Sequence, residues 1–169
     1  MNHIVLYEPE IPANTGNIMR TCVATNSVLH LIKPLGFSLD DKHLRRSGVN
    51  YIDKLNYYVY EDFDEFKSKN QGKYYFATRY GKKAHSDFDL SNDKENIYLI
   101  FGKESTGVAK NILKENLESC MRIPMTDNVR ALNLSNCVAL VLYEALRQQN
   151  YPNLFFEETQ KDKNYLEMD

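Results

Sequence analysis

Arg20 closes a stretch that reads Glu8-Pro9-Glu10-Ile11-Pro12-Ala13-Asn14-Thr15-Gly16-Asn17-Ile18-Met19-Arg20. Two prolines stiffen its first half, and Asn14 or Thr15 offers the side-chain oxygen that caps a helix start. Arg20 then falls inside that helix. A guanidinium there can grip a phosphate through two parallel hydrogen bonds, although a solvated helix arginine is the plainer reading. A second stretch, from Ile97 to Gly107, runs the apolar residues Ile97-Tyr98-Leu99-Ile100-Phe101 into a loop bounded by Gly102 and Gly107. Glycine lets a backbone turn sharply or approach a ligand, and ligands bind at the carboxyl ends of strands in α/β sheets. By itself the loop also reads as an ordinary turn. A third stretch runs from Arg122-Ile123-Pro124-Met125 through Arg130-Ala131-Leu132 to Asn133-Leu134-Ser135-Asn136. Asn133, Ser135 and Asn136 either cap the helix that follows or aim donors and acceptors into a site beside the strand ends. Tyr143, farther along the same helix, is either packing or site.

Several familiar chemistries are excluded. No G-x-G-x-x-G follows the first strand, so a dinucleotide site is disfavoured. Gly102 and Gly107 have the spacing of a phosphate-binding loop, but Val108 follows where Lys and then Ser or Thr are needed. G-x-S-x-G and H-E-x-x-H are absent. The three cysteines, Cys22, Cys120 and Cys137, are odd in number and far apart, which argues against a disulfide framework and against a zinc site. They read as small buried hydrophobes. No metal is expected.

These stretches need elements to position them. Apolar, β-rich runs fall at residues 3–7, 28–33, 74–78, 97–101 and 121–123, and helical patterns at 14–26, 62–69, 108–118 and 133–149. The alternation predicts an α/β fold with a mainly parallel sheet covered by helices on both faces. In the last helix Leu134, Val138, Val141, Leu142 and Ala145 share one face, with apolar Cys137, Ala139 and Leu140 elsewhere. A helix apolar nearly all round is buried on more than one side, by its own domain or by a partner subunit. Asn150-Tyr151-Pro152 ends it.

The chain has 169 residues with 43% hydrophobic and 26% charged, the make-up of one globular domain. No run reaches the ~20 apolar residues of a membrane span, and no signal peptide is recognisable, so a cytoplasmic protein without a membrane partner is expected. The net charge of −2 is uneven: the tail 155–169 holds five acids and two lysines, which leaves residues 1–154 at +1. We read residues 1–154 as a single domain and 155–169 as an acidic tail. A near-neutral body with a basic patch can still bind RNA, because phosphate contacts are local.

The patterns E-P-E-I-P-x-N-T-G-N-I-x-R, L-x-F-G-x-E-x-x-G and R-I-P-M…N-L-S-N-x-V-x-x-x-x-Y-E-A closely resemble, in order, the three motifs of the SPOUT superfamily of methyltransferases. The stretch Gly36-Phe37…Asp40-Asp41-Lys42-His43-Leu44-Arg45-Arg46-Ser47-Gly48 narrows the resemblance to the TrmL (YibK-like) group, small enzymes that 2′-O-methylate the wobble nucleotide of tRNA. It covers residues 3 to about 152. The resemblance implies a C-terminal trefoil knot that binds S-adenosylmethionine at Gly102, Ile123 and Ala131, with Thr78 and Leu132 nearby, and releases S-adenosylhomocysteine. It implies a homodimer, with each active site borrowing groups from its partner. Arg20, Asn133, Ser135 and Tyr143 match the catalytic positions. Lys42, His43, Arg45, Arg46 and Arg130 match residues that would meet the tRNA anticodon stem-loop, although a charge run is often only a solvated face.

The chain departs from the pattern where many relatives have Pro and Arg and it has Lys103 and Thr106. It departs again at Val129-Arg130-Ala131 and at Phe76-Ala77-Thr78-Arg79-Tyr80-Gly81, all on the cofactor rim. Competing expectations are a 2′-O-methyltransferase of rRNA or of another tRNA position, a base-nitrogen methyltransferase of the same superfamily, and a non-catalytic RNA-binding relative.

Overall fold

The computed structural model describes residues 1–40 and 49–167. Its strands are β1 (Asn2–Tyr7), β2 (Val28–Ile32), β3 (Tyr57–Tyr60), β4 (Lys73–Ala77), β5 (Lys83–Ala84), β6 (Ile97–Phe101) and β7 (Cys120–Arg122). They form one sheet in the order β3-β2-β1-β6-β4-β7-β5, with every pairing parallel. The helices are α1 (Pro12–Ala24), α2 (Phe63–Lys69), α3 (Lys110–Glu115) and α4 (Leu134–Gln148). Sheet order reverses between β1 and β6, because β2 and β3 extend to one side and the later strands to the other. That reversal is the switch point at which open α/β sheets form crevices.

Both sheet faces are covered, which explains why β2 and β6 are buried along their whole length. On one face Ile4, Leu6, Leu29, Leu31 and Leu99 pack against Ile18, Met19 and Cys22 of α1 and Val138, Val141, Leu142 and Ala145 of α4. On the other, Val5, Ile32, Phe76 and Ile100 meet Phe66 of α2 and Leu113 of α3. Each fully buried leucine or phenylalanine contributes about 1.5–3 kcal/mol. Burial also pushes the Cys22 thiol up to about 12, so it stays protonated and inert, as its sequence setting implied. Asn2 and Gln149 exchange amide hydrogen bonds of 2.8 and 3.1 Å, which pins the end of α4 to the start of β1.

A polar chain crosses the α2–α3 face at the amino ends of β1 and β2. His3 Nε2 donates to Asn96 Oδ1 (3.2 Å), so His3 Nδ1 must accept from His30 Nε2 (2.9 Å). His30 Nδ1 then accepts from the Tyr60 hydroxyl (2.9 Å), which in turn accepts from Asn70 Nδ2 (3.1 Å). One tautomer of each ring satisfies the whole chain, and both imidazoles are neutral. Burial and the neighbouring ring pull His30 down to about 3, and burial lowers His3.

Three expectations need correction. α1 begins at Pro12 with Ile11 as its N-cap, so Asn14 and Thr15 lie inside the first turn with buried side chains instead of capping it. Pro12 sits where proline costs nothing, because that N–H has no helical partner. α3 is shorter than 108–118: Asn116 turns its amide back onto the Ile112 carbonyl at 2.8 Å, and a 3-10 turn at Leu117–Ser119 replaces the last turn. β3 and β5 were not anticipated. β3 is the tyrosine-rich edge strand Tyr57–Tyr60, and β5 has two residues. Within one chain α4 is covered on one face only, and Leu140 and Tyr143 are each 46% exposed.

Candidate active site

The loops after β1, β6, β4 and β7 all leave the carboxyl end of the sheet, because the strands are parallel and adjacent. Long-range hydrogen bonds tie them together. The Glu104 carboxylate accepts from the Glu10 N–H (2.9 Å), the Ile11 N–H (3.2 Å) and Asn14 Nδ2 (3.0 Å). Asn14 Oδ1 accepts from Asn133 Nδ2 at 2.9 Å. Asn133 Oδ1 then accepts from the Ser135 N–H (2.9 Å) and the Ser135 hydroxyl (2.6 Å). All three chemistry-bearing stretches of the sequence thus meet in one relay, Glu104–Asn14–Asn133–Ser135. Asn133 caps α4, as one reading of its sequence position held, and joins the relay through the same amide.

A second set of contacts braces the same loops. Glu10 accepts from the Ser105 N–H (2.9 Å) and hydroxyl (2.8 Å), and these bonds hold its carboxyl below the usual range. Lys103 pairs with Glu8 at 2.6 Å, which raises the lysine above its ordinary value. Gly102 has no room for a side chain: a Cβ would come within 2.2 Å of the Gly107 carbonyl carbon and the Val108 nitrogen. The loop therefore folds back onto the end of β6, with Gly107 and Val108 packed against Gly102. Residues 123–133 carry no helix or strand. The Asn133 carbonyl accepts from the Cys137 N–H at 3.0 Å, which ties the end of this segment to the first turn of α4.

Each expected cofactor residue lies on these loops. The Thr78 N–H donates to the Met121 carbonyl at 2.9 Å, clamping the loop after β4 onto β7. Ile123 is half-buried against the core, Leu132 is half-buried, and Ala131 and Arg130 are exposed. Arg20 is exposed on α1, on the stripe that also presents Ala13 and Asn17. Tyr143 stands apart. It lies eight residues beyond Ser135 on α4, about 12 Å along the axis at ~1.5 Å per residue. There it lines an open groove of about 840 Å³ with Val23 and Asn26 and with Phe155 and Phe156 of the tail. One chain therefore does not bring Tyr143 to Ser135. Lys42, His43, Arg45 and Arg46 lie outside the described residues. Among the described residues no group of three or more His, Cys, Asp or Glu gathers as a metal site, and no helix is long and apolar enough to cross a membrane.

Sequence reading had not singled out Glu104 or the Glu8–Lys103 pair. The signal was present in part, since Glu104 sits between the two glycines of the second stretch. Its partners, however, are 90 or more residues away.

The SpoU rRNA Methylase family model matches residues 1–143. A Geobacillus stearothermophilus relative is 55% identical over 153 residues, 90% of this chain and 98% of its own. The tRNA (cytidine(34)-2′-O)-methyltransferase of Escherichia coli (strain K12) is 44% identical over 154 residues, covering 90% of this chain and 96% of the relative. A solved structure presented as structural insights into the 2-OH methylation of C/U34 on tRNA superposes with a TM-score of 0.81 at 36% identity, covering 89% of this chain and 97% of that one. The fold is that of the SPOUT methyltransferases. More narrowly, the chain belongs to the SpoU rRNA methylase family.

Proposed function

We propose that the chain transfers a methyl group from S-adenosylmethionine to the ribose 2′-hydroxyl of the wobble nucleotide, cytidine or uridine 34, of tRNA. The observation that carries this reading is the relay joining Glu104, Asn14, Asn133 and Ser135 at the switch point. The Escherichia coli relative, similar over 90% of this chain, is named for the same reaction.

When bound, S-adenosylmethionine supplies an electrophilic methyl group on a sulfonium. Gly102, Ile123, Ala131 and Leu132 would hold it through backbone groups, with Thr78 at the rim; the close-packed glycine loop and the irregular 123–133 backbone fit such a ligand. In this reading the C-terminal loops are threaded as a trefoil knot. The ribose oxygen gains the methyl and gives up its proton. Arg20 is not the base, because a guanidinium stays protonated at physiological pH. It clamps a phosphate and offsets charge on the reacting oxygen, and a substrate phosphate or another group receives the proton. Holding both reactants in line supplies most of the rate. Arg130 and the Lys42–Arg46 stretch contact the anticodon stem. The protein acts as a homodimer in the cytoplasm, joined through the exposed face of α4, and a second chain brings Tyr143 to the site.

The decisive experiment incubates the protein with S-adenosylmethionine and tRNA from a strain lacking wobble 2′-O-methylation, then maps methylated nucleosides by mass spectrometry. We expect methylation at position 34, lost at least ~100-fold in Arg20→Ala, the scale of removing a group that stabilises developing charge. Arg20→Lys should recover little, since lysine lacks the two-pronged geometry; full activity there overturns the clamp. Methylation of rRNA or of another tRNA position keeps the chemistry and overturns the substrate.

A further inference from the structure

The loop between β4 and β5 has an outer side that the methyl transfer above does not use. Residues 79–83, Arg79-Tyr80-Gly81-Lys82-Lys83, place three cations and an aromatic ring together in a chain of net charge −2. Tyr80 is 71% exposed. The backbone beneath it is fixed. Thr78 Oγ1 accepts from the Tyr80 N–H at 3.3 Å, the Gly81 N–H donates to the Thr78 carbonyl at 3.3 Å, and the Arg122 guanidinium donates to the Arg79 carbonyl. Gly81 lies so close to β7 that a Cβ would come within 2.5 Å of the Met121 carbonyl carbon. The ring is therefore displayed from a braced loop.

One face of the ring is taken by the Arg79 guanidinium, whose Cζ is 5.6 Å from the centroid, and the other is open to water. Among the described residues Arg79 and Lys82 have no carboxylate partner, and Lys83 has only a loose pair with Glu118 at 3.6 Å. An exposed aromatic backed by a guanidinium and flanked by unneutralised cations is complementary to an unpaired base and its phosphates. A peptide partner would need an aromatic side chain and carboxylates together, whereas every nucleotide carries a planar base and a phosphate as one unit.

We propose that Tyr80, stacked on Arg79, is a platform for an unpaired nucleobase of the substrate RNA, with Lys82 and Lys83 taking the adjacent phosphates. This rests on the reading that the substrate is an RNA loop. It identifies the loop after β4, alongside the cofactor rim, as the surface that seats a nucleotide flanking the methylated one.

The test uses an anticodon stem-loop RNA with 2-aminopurine placed at each loop position in turn, titrated with the full chain. Stacking quenches the fluorescence of that base. In the wild type we expect quenching at one position. Tyr80→Ala should abolish it and weaken RNA binding by about 5- to 150-fold, the range for losing one stacked base. S-adenosylmethionine affinity, measured by calorimetry, should fall far less than RNA affinity. Tyr80→Phe, which keeps the ring, should preserve both quenching and affinity. Unchanged RNA affinity in Tyr80→Ala overturns the platform. So does a parallel loss of S-adenosylmethionine affinity, which would make the loop a wall of the cofactor pocket. Quenching without methyl transfer would uphold the platform and sink the proposed reaction. Methyl transfer with no effect of Tyr80→Ala would do the reverse. Failure of the wild type to bind the stem-loop overturns both.

Discussion

At Asn133 the amide oxygen takes two hydrogen bonds from Ser135 while the amide nitrogen donates to Asn14, so one side chain both starts α4 and docks it onto α1. Glu104 anchors the other end of that relay with three accepted bonds. Glu104→Ala should therefore cost about 2–4 kcal/mol of stability, the scale of hydrogen bonds to a charged group, measurable by urea unfolding. Because the loop it holds carries Gly102, the same variant should lose S-adenosylmethionine affinity, whereas Glu104→Gln, which keeps an acceptor, should lose less. An Ala variant with unchanged stability would show that the relay does not hold the loops. At this scale the sequence was partly legible. Asn133 and Ser135, which the relay joins, were marked by type and place. Glu104 escaped because a carboxylate gives no sign of which distant N–H it will meet.

The helices tell a different story from the strands. β1, β2 and β6 were readable because burial on both faces leaves an uninterrupted apolar run. β3 was not, since an edge strand with Tyr57 and Tyr58 exposed and Tyr60 buried has neither that run nor clean alternation. The start of α1 was misplaced because Asn14 looks like a cap but spends its side chain on Glu104 and Asn133. α4 was read as apolar nearly all round, and its exposed Leu140 and Tyr143 are the part that one chain does not cover. If a second copy covers them, Leu140→Asp should shift the protein from dimer to monomer in sedimentation velocity at micromolar concentration. It should cut methyl transfer without changing the helical circular dichroism. A variant that stays dimeric would place the interface elsewhere.

Across the molecule, the buried His3–His30 chain links stability to pH. His30 ordinarily titrates at 6.5 but is held down to about 3 in the fold, so below pH 6.5 the unfolded chain binds a proton that the folded chain refuses. Stability is then fully present above about pH 6.5 and falls as pH drops toward 3, by at most about 1.4 kcal/mol per pH unit for this group. Urea unfolding at pH 7, 5.5 and 4.5 should show the decline (trial pH values chosen to span roughly that window). His30→Gln should start lower and decline less steeply; an equal slope would assign the acid sensitivity to other groups. The sheet order has a further consequence, for biosynthesis. β1 is made first, yet it sits in the middle of the sheet, and Asn2 waits for Ile97 to pair with it. At ~5–20 residues per second a ribosome needs about 5–20 s to supply that second neighbour. Throughout that interval one hydrogen-bonding edge of β1 is unpaired. Until β6 emerges, that edge is a template on which a strand of another chain can pair, an exposure set by strand order and not by the stability of the finished protein.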